Sequence, residues 1–324
     1  MSFRIGLFML MLLAQGLAFG ADSPATLDTC RDCHATLEPP LNRGVIETGK
    51  DVHTLADLSC ADCHGGDPTK TDKQASKDPG TGYRGVPLPK EIPEFCSRCH
   101  SDPSYMRNFN PSLPTDQLEK YKTSHHGERL REGITTVATC VSCHGSHNIL
   151  AADQPLSTVY PTQIPKTCAA CHSDPEHMKG TGLPTDQFEK YTQSVHGKAL
   201  FERHDITGAP TCNDCHGNHA ATPPGVTAVG NVCGTCHIRN REIFARSVHK
   251  EIFDALDMPE CSTCHDHHLI LPPSDAMLDA SEGSVCSGCH DTNDEPMRIA
   301  KTIRTEIEGL EKMEVEAVDA LDKV

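Results

Sequence analysis

All eighteen cysteines of this 324-residue chain fall in Cys-x-x-Cys pairs, and every pair is followed at once by histidine. In order the nine copies are Cys30/Cys33/His34, Cys60/Cys63/His64, Cys96/Cys99/His100, Cys140/Cys143/His144, Cys168/Cys171/His172, Cys212/Cys215/His216, Cys233/Cys236/His237, Cys261/Cys264/His265 and Cys286/Cys289/His290. Short stretches separate one copy from the next. The chain must therefore fold around whatever these sites hold.

Two cysteines three positions apart can add across the two vinyl groups of one porphyrin, leaving the adjacent histidine beneath the iron as proximal ligand. Zinc ribbons gather four ligands from two such pairs, and thioredoxin-like proteins use one pair for thiol exchange. Neither explains a histidine after every pair, when histidine is only 20 of 324 residues. The sequence predicts nine covalently bound haem c groups, with the eighteen cysteines as attachment sites and the nine motif histidines as proximal ligands.

Arg4, the mostly apolar run from Ile5 to Phe19 and the small-residue site Ala18-Phe19-Gly20 read as a signal peptide over residues 1–20, cleaved before Ala21. Gln15 and Gly16 interrupt a run already short for a bilayer, which needs about 20 apolar residues. Export to the periplasm or beyond is expected. With no Trp, 4% aromatics, 23 Pro and 24 Gly, the rest is poor material for an ordinary core, so haem faces are expected to supply the apolar surface. The expected class is mainly α with much coil, wrapped around a haem stack. By the linkage seen in small metal domains, the chain without haem is not expected to fold. A net charge of −16 argues against nucleic acid as a partner.

Internal repetition organises the motifs. Cys96-Ser-Arg-Cys-His-Ser-Asp-Pro-Ser-Tyr-Met106 matches Cys168-Ala-Ala-Cys-His-Ser-Asp-Pro-Glu-His-Met178, and each is followed by Leu-Pro-Thr-Asp-Gln-(Leu or Phe)-Glu-Lys-Tyr, at 113–121 and 183–191. Each unit runs from a first motif through a helix ending in Ser-x-His to a second motif. The haem region, 21–293, therefore divides near 26–92, 93–164, 165–229 and 230–282, with a remnant at 283–293. Thr115 and Thr185 are expected as helix N-caps, with His126 and His196 on nearly the same helical stripe as Leu118 and Phe188.

Eleven histidines lie outside the motifs, and seven recur at matched positions. His53, His126, His196 and His249 end the segment between the two motifs of a unit, three of them in Ser-x-His. His147, His219 and His268 each stand three residues after a motif histidine. These seven are the candidate distal ligands, not necessarily of the nearest haem. His125, His177, His204 and His267 are reserves, and the second and ninth sites are short of a local ligand. Met106 and Met178 also recur, and packing is the reading preferred for them over ligation.

On its nine motifs, with Ser-x-His and Cys-His-Gly-x-His, the region 26–295 resembles the multihaem cytochromes c with doubled Cys-x-x-Cys-His motifs, akin to the class III tetrahaem cytochromes. The resemblance implies bis-histidine haems in close contact. It also implies electron exchange with redox proteins such as a membrane quinol oxidase or a terminal reductase in anaerobic-type respiration. The alternative is a reductase or oxidase of a small nitrogen or sulfur oxyanion, which needs one open haem site. No motif has Lys in place of His, no marked Arg/Lys cluster stands near a motif, and histidines outnumber the distal positions, so the carrier is favoured and no catalytic residue is assigned.

Residues 294–324 differ in kind. Ile303, Ile307, Leu310, Ala317, Leu321 and Val324 form a heptad-like seam, flawed at Glu314 and weakened by Gly309. Such a helix could pair with a second copy of the chain, or it could pack back on the haem region.

Overall fold

A computed structural model describes residues 28–225, 229–278 and 284–322. The expected signal peptide and Val324 lie outside these residues. The described chain is helical with much coil and contains no strand, and no described helix is long and apolar enough to cross a membrane. Few apolar side chains are buried. The main cluster joins Ala199, Leu200 and Ala209, with Tyr191 and Phe201 packed against it.

The chain forms two compact units. The first comprises residues up to Val45 together with Ser59–Gly85, and holds the first two motifs. Its helix Thr29–Ala35 starts at Asp28, whose carboxylate accepts from Arg31 N. Buried Thr29 ties that helix to the loop after the second motif, its Oγ1 donating to Pro68 O at 2.8 Å and its backbone N to the same oxygen at 3.0 Å.

The second unit comprises Ile46–Leu58 and everything from Val86 on. Here the repeat seen in the sequence becomes a repeat of short helices. The third and fifth motifs end the helices Ile92–His100 and Ile164–His172, each with a buried proline, Pro93 or Pro165, in its first turn. Proline fits there because the first helical N–H groups have no intrahelical acceptor.

The fourth and sixth motifs form the single-turn helices Cys140–His144 and Cys212–His216. Ser142 Oγ accepts from Thr139 N at 3.0 Å, and Asp214 Oδ2 from Thr211 N at 2.7 Å, so each turn is closed at its start. Each stops at a glycine with positive φ, Gly145 at 79° and Gly217 at 78°, and Gly65 does the same after the second motif at 68°. That conformation is why the recurrent string is Cys-His-Gly.

The segment between the motifs departs from expectation. Instead of one helix running into Ser-x-His, Gln117–Thr123 ends, Ser124 takes an extended conformation with ψ of 157°, and a new helix runs over His125–Arg131. The second copy does the same, with Gln187–Gln193, Ser194 and Val195–Phe201. The serine causes the break. Ser124 Oγ donates to Tyr121 O at 2.6 Å, closing the first helix, and accepts from Gly127 N at 3.0 Å, capping the second; Ser194 repeats both bonds with Tyr191 and Gly197. The shared stripe expected for Leu118 with His126, and for Phe188 with His196, is therefore interrupted. Asp116 and Asp186, not the threonines before them, occupy the N-cap positions.

The C-terminal helix runs from Glu295 to Leu321, capped by Asp294. Met297 and Ala300 are buried in its first turns, whereas Ile303, Leu310 and Leu321 of the seam are exposed. The helix meets the short turn Asp275–Leu278, and beyond Ala300 it is exposed at nearly every described residue.

Candidate haem sites

The first cysteines of paired motifs lie together. A side-chain hydrogen bond joins Cys96 to Cys140, Cys168 to Cys212 and Cys233 to Cys261, and Cys30 is among the charges that act on Cys60. Between modules the second cysteine takes over. Cys143 feels Cys168 and Cys171, Cys215 feels Cys233 and Cys236, and Cys264 feels Cys286 and Cys289. In the second unit the attachment sites therefore follow one another in space as they do in sequence.

The second cysteines of the first three motifs are placed by their own helices. Cys33 lies on Thr29–Ala35 and is exposed, while Cys63 on Cys60–His64 and Cys99 on Ile92–His100 are half-buried. Each follows its first cysteine by one helical turn, which sets the two sulfurs on one side of the helix as a single porphyrin requires. Their carbonyls close the turns that follow: Cys33 O accepts from Thr36 Oγ1 at 2.9 Å, and Cys99 O from Asp102 N at 3.0 Å. None of the eighteen cysteines is in a disulfide, and burial pushes the thiols of Cys60 and Cys143 up to about 11.

The imidazoles meet in twos, and the partners come from different modules. Ring centres are 5.9 Å apart for His53 and His100, 6.0 Å for His126 and His172, 6.1 Å for His196 and His237, and 6.3 Å for His249 and His290. They are 6.1 Å apart for His144 and His219, and 6.0 Å for His216 and His268. A metal held between two imidazoles, about 2 Å from each nitrogen, places the ring centres about 6 Å apart. Among the described residues no group of three or more His, Cys, Asp or Glu forms a site for a bare metal ion. The donor set fits an iron already carried in a porphyrin.

Hydrogen bonds fix which ring nitrogen is free. His34 Nδ1 lies 2.7 Å from Leu41 O, His64 Nδ1 2.8 Å from Gly85 O, and His216 Nδ1 3.3 Å from Thr222 O. A carbonyl only accepts, so Nδ1 carries the proton and the Nε2 lone pair is left for a metal. His53 Nδ1 is held by Asp51 at 3.1 Å and His290 Nδ1 by Asp294 at 3.3 Å. Burial lowers the pKa of His100, His126, His144, His172, His196, His219 and His268, the last to about 4. These rings stay neutral, the form that ligates.

A backbone bond sets the spacing of the modules. Val52 N donates to Ile149 O at 2.8 Å, His125 N to Ala221 O at 3.0 Å, and Val195 N to Ile270 O at 2.8 Å. Each donor immediately precedes one candidate distal histidine, and each acceptor lies two residues after another. The segment that bears one series is thus hydrogen-bonded to the segment that bears the other, one module on.

Six of the seven distal candidates thus face a motif histidine of a neighbouring module, and none faces one of its own. His147, the seventh, is half-buried. The ninth site, expected from the sequence to lack a ligand, has His249 opposite His290. The four reserves are all exposed. His267 packs 4.6 Å from His268 and is paired with Asp266 at 3.1 Å; His204 sits in the left-handed region at φ 56°. Met106 and Met178 are buried, as packing residues would be.

Two features escaped sequence reasoning. Gly127 and Gly197 follow the candidate ligands His126 and His196, and a side chain at either would press on the carbonyl of Tyr121 or Tyr191. The recurrence of Ser-x-His-Gly at 124–127 and 194–197 was the available signal. Asp51 stands where later modules have serine; it is 3% exposed and accepts from both His53 N and Ile149 N.

Comparison with known families agrees with this geometry. A model of cytochrome c3 matches residues 52–173, one of the doubled CXXCH motif matches 255–295, and one of cytochrome c554 and c-prime matches 16–65. Among curated proteins and among solved structures, nothing matches the chain. The protein is a multihaem c-type cytochrome. Electron transfer is the chemistry of such domains, and they are typically exported.

Proposed function

We propose that the protein is a nonahaem electron carrier, exported after cleavage of residues 1–20 and working in the periplasm or outside the cell. Bound haem c supplies reversible one-electron chemistry at iron. The chain's residues hold each porphyrin by two cysteines and set the iron between two imidazoles. They also place successive sites side by side, so that electrons pass between neighbours.

The observation that carries this reading is the set of six imidazole pairs spaced for a shared iron. Ser-x-His histidines face the first motif of the next module, and Gly-x-His histidines face the second motif of the previous one. By sequence count alone, the same step from His147 leads to the second motif. A six-coordinate bis-histidine iron exchanges electrons without binding substrate, which favours a carrier over a reductase. The donor and acceptor are redox proteins such as a membrane quinol oxidase and a terminal reductase in anaerobic-type respiration.

The test is the purified ferric protein. Nine haems per chain by haemochrome assay, with mostly low-spin paramagnetic resonance signals, are expected. Fewer than nine haems, or mostly high-spin iron, would overturn the proposal.

A further inference from the structure

The pairing rule singles out two irons that nothing in this chain completes. We infer that the haems of the first and eighth motifs, on His34 and His265, keep an open sixth position that takes small exogenous ligands such as cyanide or imidazole. The inference rests on the bis-histidine reading of the other sites.

Four pairs define one half of the rule. His100, His172, His237 and His290, all in the odd-numbered third to ninth motifs, are each faced by a histidine from the module before. Two pairs define the other half, since His144 and His216, in even-numbered motifs, are each faced by a histidine from the module after. The first motif is odd, and its partner would have to precede Cys30. Residues 1–29 contain no histidine. The eighth motif is even, and its partner would have to follow His290. Residues 291–324 contain none either.

The surplus histidines do not fill these gaps. His125 is exposed, and its backbone N is committed to Ala221 O, which directs the neighbouring His126 toward His172. His267 packs on His268 and pairs with Asp266 in the same turn. His177 and His204 are exposed. Among the described residues, none of the four rings stands across from His34 or His265. An excess of histidine over irons therefore does not mean full coordination. The sites to watch are the first and eighth, in place of the second and ninth suggested by the sequence.

The experiment counts high-spin iron in the full, haem-loaded protein. The wild-type ferric protein, with nine haems verified, is expected to show two high-spin or water-ligated irons per chain, which convert to low spin on titration with two equivalents of cyanide or with excess imidazole. His268→Ala removes the partner of His216 and raises the count to three, whereas His268→Met restores a sixth ligand and brings the count back to two. Wild-type protein with no high-spin iron and no ligand uptake overturns the inference. If His268→Ala then raises the count from none to one, the bis-histidine reading survives that failure. If neither protein shows a ligand-sensitive iron, both readings fall.

Discussion

Replacing Gly197 with alanine tests the turn that aims His196 at His237. Gly197 has ordinary helical φ, so the cost of a side chain here is purely one of space. An added Cβ would fall well inside 3 Å of the Tyr191 carbonyl oxygen and 2.8 Å from Thr192 Cα, distances that real Cβ atoms do not tolerate. Both obstacles are backbone, so no side-chain rotation relieves them. The Tyr191 carbonyl must retreat by on the order of 1 Å to reach normal contact.

That carbonyl accepts from Ser194 Oγ at 2.6 Å and from Ser194 N at 3.0 Å, and Ser194 Oγ caps the helix that follows. Weakening this pair loses about 1 kcal/mol per bond, and overpacking adds about 1–3 kcal/mol, so a loss of about 2–4 kcal/mol is expected. Thermal unfolding followed by circular dichroism measures it, and the spin state of the seventh haem reports whether His196 has moved. The same change at Gly127 acts on His126 and the fifth haem instead. In the next copy Lys250 fills the equivalent place, and Ser247 makes no cap bond there, so Lys250→Gly is expected to change stability by less than about 0.5 kcal/mol. A Gly197→Ala protein as stable as wild type, with an unchanged spectrum, would refute the reasoning.

Asp266 adopts φ 63° where the second, fourth and sixth motifs end in glycine, so Asp266→Gly should stabilise the protein by about 0.5–1 kcal/mol, seen as a small rise in melting temperature. Tyr191→Phe removes the bond from its hydroxyl to Pro210 O at 2.8 Å and should cost about 1 kcal/mol by thermal unfolding, with Tyr121→Phe matching it through Ala138 O at 2.8 Å. Deleting residues 303–324 removes only exposed seam positions and leaves Met297 and Ala300 in place, so haem content and absorption spectrum should not change.

How far the sequence could be read depended on the range of the interaction involved. Thioether attachment needs only side chains within one helical turn and is legible as Cys-x-x-Cys-His. The distal candidates His53, His126, His196, His219, His249 and His268 were legible too, because repetition marks them. Which iron each faces was not, since the pairing joins residues from neighbouring modules and follows from backbone bonds such as His125 N to Ala221 O. Helix periodicity also misled at Ser124 and Ser194. Hydroxyls that bond backward to a carbonyl and forward to a glycine N–H end one helix and begin another, and a count of apolar spacing cannot register that.

The reciprocal reach of the two histidine series makes the module the unit of repetition, although no module completes its own irons. Deleting residues 93–164 removes the third and fourth motifs together with His126 and His147. His172 loses the ring it faced, but the segment carrying His53 now stands one module before it, as it formerly stood before His100. His219 loses His144, but by sequence count it now follows the second motif as His147 did. Because every module offers one donor forward and one backward, excision of a whole module should restore the pairing across the new junction. Seven haems per chain and the wild-type number of high-spin irons are expected. Deleting only residues 93–138, which removes the third motif and His126 but keeps the fourth, breaks the alternation of odd and even motifs. It should raise the high-spin count by at least one. If whole-module excision raises that count as much as the half-module deletion does, the donors are specified by local packing at each junction and not by the repeat.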